Sequence, residues 1–311
     1  MQWIREPQSL GPCVLVLGMF DGVHRGHQTL LDKGLEIAEA KGLPLVVCTF
    51  EPHPLEVLRP DLAPKRLTTP LERAGLMAQC GADILAELRF TRELADMEPE
   101  AFLSEMSDRF HPDTVVCGYN FSFGRGGKGD GEFLQARAKD HGFDAIIVPA
   151  VCVAGKAVSS TRIRGCLAAG DVSEAARLLG HTYTLSGRVQ HGKQQGRTMG
   201  FPTANVGIPP RKQLPAYGVY ACGVLYRGEE HPAIVNVGRH PTLPEGDVTV
   251  EAHILDDSAD LYDEAVRVSF LRHLRPEKPF RDKEELTDQL KRDRLEAISY
   301  FGMSDVADGK K

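Results

Sequence analysis

Two histidines three residues apart, His24 and His27, sit among glycines placed at four-residue steps, Gly18, Gly22 and Gly26. An apolar run, Val14 to Leu17, comes before them. After them His27 to Ala40 carries Leu31, Leu35 and Ala38 at helical spacing and stops at Gly42, which reads as a C-cap. The histidines therefore belong at or just before a helix N-terminus, where free N–H groups and the helix dipole attract anions. Glycine admits a phosphate close to the backbone, and imidazoles three apart in a first turn point the same way. The chemistry implied is the holding of a polyphosphate while charge moves along it. A plain glycine-rich turn with two exposed histidines is the bland alternative. The spacing matches neither the dinucleotide fingerprint nor a Walker loop.

The second half of the chain carries another set. Gly192 opens a polar, basic glycine loop that includes Arg197 and leads into Phe201-Pro-Thr-Ala-Asn205. Thr203 and Asn205 are two apart, so an extended chain projects both to one side. A hydroxyl and an amide oxygen are neutral ligands that suit Mg²⁺, although a turn bonding its own backbone is the favoured reading of Pro-Thr-Ala-Asn alone. In Val248 to Asp256, Glu251 lies on the opposite strand face from Val250 and Ala252. It is either solvated or functional, and composition does not decide between the two.

Three more stretches draw attention. Thr49-Phe-Glu-Pro-His-Pro54 is stiffened by two prolines; it is either a turn or a wall that places His53 over a site. Cys117 to Gly131 carries Tyr119, Phe121 and Phe123, then five glycines with Arg125 and Lys128. Mobile aromatics and cations at a strand end suggest a lid that stacks on a flat ligand, where a bare glycine run would be a floppy loop. Ser159-Ser-Thr-Arg-Ile-Arg164 offers Ser160 or Thr161 as a helix cap, with Arg162 and Arg164 as a phosphate clamp.

These elements must be positioned by a scaffold, and its outline is readable. Residues 13–150 alternate apolar runs (13–18, 44–50, 83–88, 113–118, 144–149) with helical patterns near 27–41, 70–80, 98–109 and 130–141. Strands apolar on both parities are covered on both faces, which predicts an α/β doubly wound parallel sheet with ligands at the strand carboxyl ends. After about residue 182 strand-like runs replace helices (183–190, 217–226, 232–237, 247–255, 265–270). This predicts a small antiparallel β-barrel closed by one helix, Asp282 to about Phe301, with Leu286, Leu290, Ala297 and Ile298 inward and an Asp282/Glu285 capping box. The predicted domains are 1–182 and 183–311, with a disordered tail from Asp305.

With 311 residues the chain has room for two cores. A net charge of −6 argues against non-specific nucleic-acid binding. No secretory leader or membrane-length apolar run is evident. The seven scattered cysteines form no Cys-x-x-Cys, which predicts a reduced, cytoplasmic protein without disulfides or zinc. The sequence leaves oligomeric state open without indicating an oligomer.

Gly-x-Phe-Asp-Gly-Val-His-x-Gly-His27, followed by Ser159-Ser-Thr-x-x-Arg164, resembles the nucleotidylyltransferase part of the bacterial bifunctional riboflavin kinase and FAD synthetase family. Gly-Phe-Pro-Thr-Ala-Asn205, Pro215-Ala-Tyr-Gly-Val-Tyr220, Asn236-Val-Gly-x-x-Pro-Thr242, Glu251-x-His253 and Leu274-Arg-Pro-Glu-Lys-x-Phe280 resemble its riboflavin kinase part. The likeness spans about residues 12–300. It implies ATP-dependent phosphorylation of riboflavin to FMN in the second domain and adenylylation of FMN to FAD, with release of pyrophosphate, in the first.

The same resemblance implies roles. Glu251 is the catalytic base of the kinase, with Thr203 and Asn205 on the metal. His24, His27 and Arg162 serve adenylyl transfer. ATP and its phosphates fall to Gly18, Phe20, Asp21, Asn120, Ser160, Thr161, Gly192 and Arg197, and the flavin to His53, Phe123, Tyr262, Arg275 and Phe280. Implied partners are the small molecules riboflavin, FMN and ATP with Mg²⁺, and neither nucleic acid nor membrane. Asp263 replaces a usual Gly, and Glu51 a commoner Asp. A class I aminoacyl-tRNA synthetase shares a His-x-Gly-His-like signature, but this chain lacks Lys-Met-Ser-Lys-Ser and an anticodon-binding stretch. A flavin-binding regulator with decayed sites would not be expected to keep all six residues His24, His27, Arg162, Thr203, Asn205 and Glu251.

Overall fold

The computed structural model describes residues 1–7, 9–190, 201–239, 248–255 and 261–303. Two compact units divide the chain, Met1–Ser160 and Thr161–Lys311.

In the first unit the strands are β1 (Gln2–Arg5), β2 (Cys13–Leu17), β3 (Leu45–Glu51), β4 (Ile84–Arg89), β5 (Pro112–Gly118) and β6 (Asp144–Val148). All pair in parallel, in the order β1-β4-β3-β2-β5-β6. The helices are α1 (Arg25–Lys41), α2 (Pro54–Leu58), α3 (Pro70–Gln79), α4 (Arg92–Ala95), α5 (Pro99–Phe110) and α6 (Gly131–Arg137). A two-stranded ribbon, β7 (Cys152–Val153) and β8 (Lys156–Ala157), follows.

Every residue of β2 is buried because each face of the sheet has its own core. Cys13, Leu15 and Leu17 meet Phe102, Leu103, Met106 and Phe110 of α5. Val14 and Val16 meet Leu30 and Leu31 of α1 and Met77 of α3. Helix α1 lies so close that a Cβ on Gly34 would come within 2.5 Å of Val16 Cγ2. From β2 the chain runs outward through β3 and β4, then returns to β5 on the other side of β2. The reversal puts a topological switch point at the carboxyl ends of β2 and β5, where such sheets bind ligands.

The second unit begins in α7 (Ser160–Ala168), followed by α8 (Val172–Leu179). Six strands then close an antiparallel barrel: β9 (Tyr183–Gln190), β10 (Ala204–Val206), β11 (Gly218–Tyr226), β12 (Glu229–Arg239), β13 (Val248–Ile254) and β14 (Ala265–Pro276), ordered β10-β13-β12-β11-β14-β9. Helix α9 (Lys283–Phe301) buries Ala297 against Val219 and Ile234 on the barrel exterior. Asp282 caps it by accepting from Glu285 N at 2.8 Å. Glu285 does not complete the box expected from the sequence: its carboxylate accepts from Arg281 N at 3.1 Å. The 305–311 tail lies outside the described residues. Among the described residues no helix is long and apolar enough to cross a membrane.

Candidate functional site

The first unit gathers its chemistry at the switch point. His24 is the N-cap of α1, and its Nδ1 accepts from His27 N at 3.3 Å. Nδ1 is therefore unprotonated, and a neutral His24 carries its proton on Nε2. The two rings stack at 3.7 Å and 11°, and Phe20 meets His27 edge-on at 5.1 Å. Burial first, then the neighbouring His24, hold the His27 imidazole well below its ordinary value, so it is neutral at pH 7. His27 Nδ1 is buried and has no hydrogen-bond partner among the described residues. A Cβ on Gly26 would sit 3.2 Å from the His24 ring, so glycine there makes room for the stack.

The turn that delivers these rings is strained. Phe20, Gly22 and Val23 all have positive φ, at 53°, 87° and 41°, and a β-branched residue there is a genuine outlier. Asp21 holds the turn in place. Its carboxylate accepts from Leu67 N at 2.9 and 3.1 Å, from Thr68 N at 3.0 Å and from Thr68 Oγ1 at 3.3 Å. Thr68 Oγ1 in turn accepts from Gly22 N at 3.1 Å, and Ser160 Oγ donates to Asp21 O at 2.9 Å. Asp21 thus spends its oxygens on the protein, and Phe20 is fully buried. Ser160 is the first residue of α7 rather than its cap, and Thr161 is exposed beside it. Arg162 pairs with Glu174 at 3.0 Å.

Other expected residues fall as follows. His53 caps α2, its Nδ1 accepting from Leu55 N at 3.2 Å. Asn120 is exposed after β5, its Oδ1 3.5 Å from where a Gly118 Cβ would lie. Phe123 departs from the lid reading: it is 6% exposed and packs on Phe102 at 5.0 Å and Phe121 at 5.7 Å. It is also backbone-paired with Gly129. Arg125 staples this loop to the preceding segment through Met97 O at 2.7 Å, Asp96 O at 2.9 Å and Glu98 at 3.0 Å. Packing against Phe102 and Phe121 leaves little of the Phe123 ring exposed.

The second unit sets its polar residues in one row around the barrel. Asn205 pairs directly with Gln190 and with Glu251, Glu251 with Asn236, Asn236 with Val219, and Val219 with Arg275. Residues opposite one another in antiparallel strands project to the same face. Val250, Ala252 and Ile254 fill the lumen, so Glu251 and its row face outward. Thr249 Oγ1 lies 3.4 Å from Glu251 Oε1. The chain stays beside β13 back to Pro202, whose carbonyl accepts from His253 Nδ1 at 2.9 Å, which keeps Thr203, two residues before Asn205, next to β13. Burial first, then Arg294, lowers the His253 imidazole; its bond to Pro202 opposes them.

Hydroxyl, amide and carboxylate oxygens gathered along two paired strands are a hard donor set of the kind Mg²⁺ takes while keeping several waters. Among the described residues no group of three or more His, Cys, Asp or Glu side chains could hold a metal by itself. Arg275 forks onto Asp293 of α9 at 2.8 and 2.9 Å and lies 5.7 Å from the Phe280 ring. Tyr262 precedes β14 and Arg275 nearly ends it, so the length of that strand separates these two expected flavin contacts. Asp263 takes φ 62°, the conformation a glycine would favour. Gly192 and Arg197 lie outside the described residues. Sequence reading gave no role to Asn236 or Thr68, whose partners are distant in the chain.

Comparison with known proteins gives two family models in tandem, FAD synthetase over residues 6–162 and riboflavin kinase over residues 179–301. The bifunctional riboflavin kinase/FMN adenylyltransferase of Escherichia coli K12 is 40% identical over 298 residues, covering 95% of each chain. That of Bacillus subtilis is 37% identical over 302 residues, covering 96% of this chain and 95% of its own. A crystal structure described as a macrolide-efflux protein from Streptococcus pneumoniae matches with a TM-score of 0.87 and 32% identity, over 96% of this chain and 99% of its own.

Proposed function

The chain belongs to the bifunctional riboflavin kinase/FMN adenylyltransferase family, and from that premise we propose how its residues divide the two reactions. It phosphorylates riboflavin to FMN and adenylylates FMN to FAD. Residues 183–311 carry the first step and 1–182 the second.

A ribityl hydroxyl is a poor nucleophile at neutral pH and needs a positioned base. Glu251 takes that proton as the oxygen bonds the γ-phosphorus of ATP and the bond to ADP breaks. Thr203 and Asn205 hold Mg²⁺, which would offset phosphate charge when bound. Gly192 and Arg197 meet the ATP phosphates, and Arg275 and Phe280, 5.7 Å apart, the flavin.

FMN phosphate has a second pKa of about 6, so it is anionic at pH 7 and needs no base. One of its oxygens bonds the α-phosphorus and pyrophosphate leaves. The demand is for donors that relieve repulsion between anions. His24 and His27 at the α1 N-terminus, with Arg162, supply them. The stack and strained turn fix the imidazoles in advance, and a neutral His27 donates without a desolvated charge. Asp21 and Phe20 act through the turn rather than by touching phosphate, while Gly18, Asn120, Ser160 and Thr161 line the nucleotide and His53 the flavin.

The observation that carries this reading is the direct cross-strand pairing of Asn205 with Glu251, in a unit without the His24/His27 stack. The test is chromatography of a time course with riboflavin and MgATP. FMN should rise first and FAD follow; FMN accumulating with no FAD under excess ATP would refute the adenylylation half.

A further inference from the structure

Alternating charges run across one end of the first unit's sheet. Glu87 on β4 meets Arg73 of α3 at 3.2 Å, and the same guanidinium reaches Glu51 at the end of β3 at 3.2 Å. Glu51 then meets Arg66 at 2.6 Å, and Arg66 meets Glu56 of α2 at 2.7 Å and, through Nε, 2.8 Å. Glu87 and Arg73 are buried, and Arg66 and Glu56 are each 15% exposed at the side chain. Arg66 directly precedes Leu67 and Thr68, whose N–H groups hold the Asp21 carboxylate of the histidine turn.

The segment this chain of charges holds lies near the surface. Helix α2 buries no residue, and Leu55 and Leu58 are 36% and 38% exposed. Arg92 Nη2 to Val57 O at 3.4 Å is a marginal bond. With none of its residues fully buried, α2 is anchored by the Glu56–Arg66 pair. His53, the α2 cap, lies between Glu51 and Glu56 in sequence. Glu51 reaches both Arg66 and Arg73 with one carboxylate.

We propose that Arg66 is a positioning residue for FMN adenylylation, clamping Glu51 and Glu56, which bracket His53 in sequence, and thereby setting the affinity for the flavin substrate. Its planar fork serves two carboxylates at once, which a lysine ammonium does not. Without it the two carboxylates repel and the wall moves. The inference rests on the reading that His53 faces the flavin.

The test is steady-state FMN adenylylation by the full chain carrying Arg66→Gln, Arg66→Lys, Glu56→Gln or His53→Ala, with KM measured for FMN and for MgATP. Arg66→Gln should raise KM for FMN about tenfold, with KM for MgATP and kcat within about threefold. Arg66→Lys should recover only part of the loss. Glu56→Gln removes one partner without stranding a charge and should raise KM for FMN by roughly three- to fivefold. If His53→Ala raises KM for FMN while Arg66→Gln and Glu56→Gln leave it unchanged, the clamp is wrong and the wall stands. Should His53→Ala leave KM for FMN unchanged, the wall itself is wrong. Equal losses for FMN and MgATP in Arg66→Gln would make Arg66 merely structural and overturn the proposal.

Discussion

Replacing Asp21 separates a residue that holds the histidine turn from one that handles phosphate. Its oxygens accept two backbone N–H groups, at 2.9 and 3.0 Å, in a site only 7% exposed. Asp21→Ala removes the carboxylate that accepts from Leu67 N and Thr68 N. Bonds to a charged acceptor are worth about 1.5–3 kcal/mol each, and stranding buried donors has a similar cost. The expected destabilisation is about 3–5 kcal/mol, or a fall of roughly 6–20 °C in the melting temperature of the 160-residue first unit. Asp21→Asn keeps an oxygen for both N–H groups and loses mainly the charge, so about 1–2 kcal/mol is expected. Differential scanning calorimetry gives the stabilities, and FMN adenylylation at a temperature where the variant is folded gives the function. Asp21→Asn should keep KM for MgATP within about threefold and lose under about tenfold in kcat. A loss of about 10³ in kcat with unchanged melting would show that Asp21 acts on the nucleotide, and the clasp account would fail.

Three further outcomes follow from the same geometry. His27 has a folded-state value well below 6.5, so below that pH the unfolded chain binds the extra proton and stability falls with acidity; His27→Gln should flatten the slope of melting temperature against pH between 7 and 5. Cys13 and Cys117 are pushed up to about 12 by burial, and Cys48 is raised further, whereas Cys152 is exposed; iodoacetamide at pH 8 should label Cys152 and spare those three, read by peptide mass spectrometry. Arg275→Ala leaves Asp293, 2% exposed, with Gln289 as its remaining hydrogen-bond partner among those described. Stability of the second unit should drop by about 3 kcal/mol, and a rise in KM for riboflavin without that drop would favour a direct flavin contact over the buried pairing.

What could be read in advance was what local pattern determines. The doubly apolar β2, β3 and β5, the histidines at the α1 N-terminus and its stop at Gly42, and the face of Glu251 opposite Val250 all follow from periodicity and caps. Contacts between distant residues could not be read this way. Asp21 carries a charge within a phosphate-binding signature, and only the approach of residues 67 and 68 reveals its inward role. Phe123 sits in an aromatic, glycine-rich stretch that reads as a lid, yet α5 and α6 enclose its ring. Strand β10 has three residues and no pattern of its own; its register against Glu251 comes from its neighbours. The Glu87–Arg73–Glu51–Arg66–Glu56 chain joins four elements and leaves no spacing signal.

The central claim is that a carboxylate base and a histidine-lined phosphate site serve different steps. Its most direct measurement is product analysis, by chromatography, of Glu251→Gln and His27→Ala given either riboflavin or FMN with MgATP. Glu251→Gln should make no FMN from riboflavin yet still convert supplied FMN to FAD, and His27→Ala should make FMN and stop there. A folded variant of either kind that has lost both conversions would contradict the account.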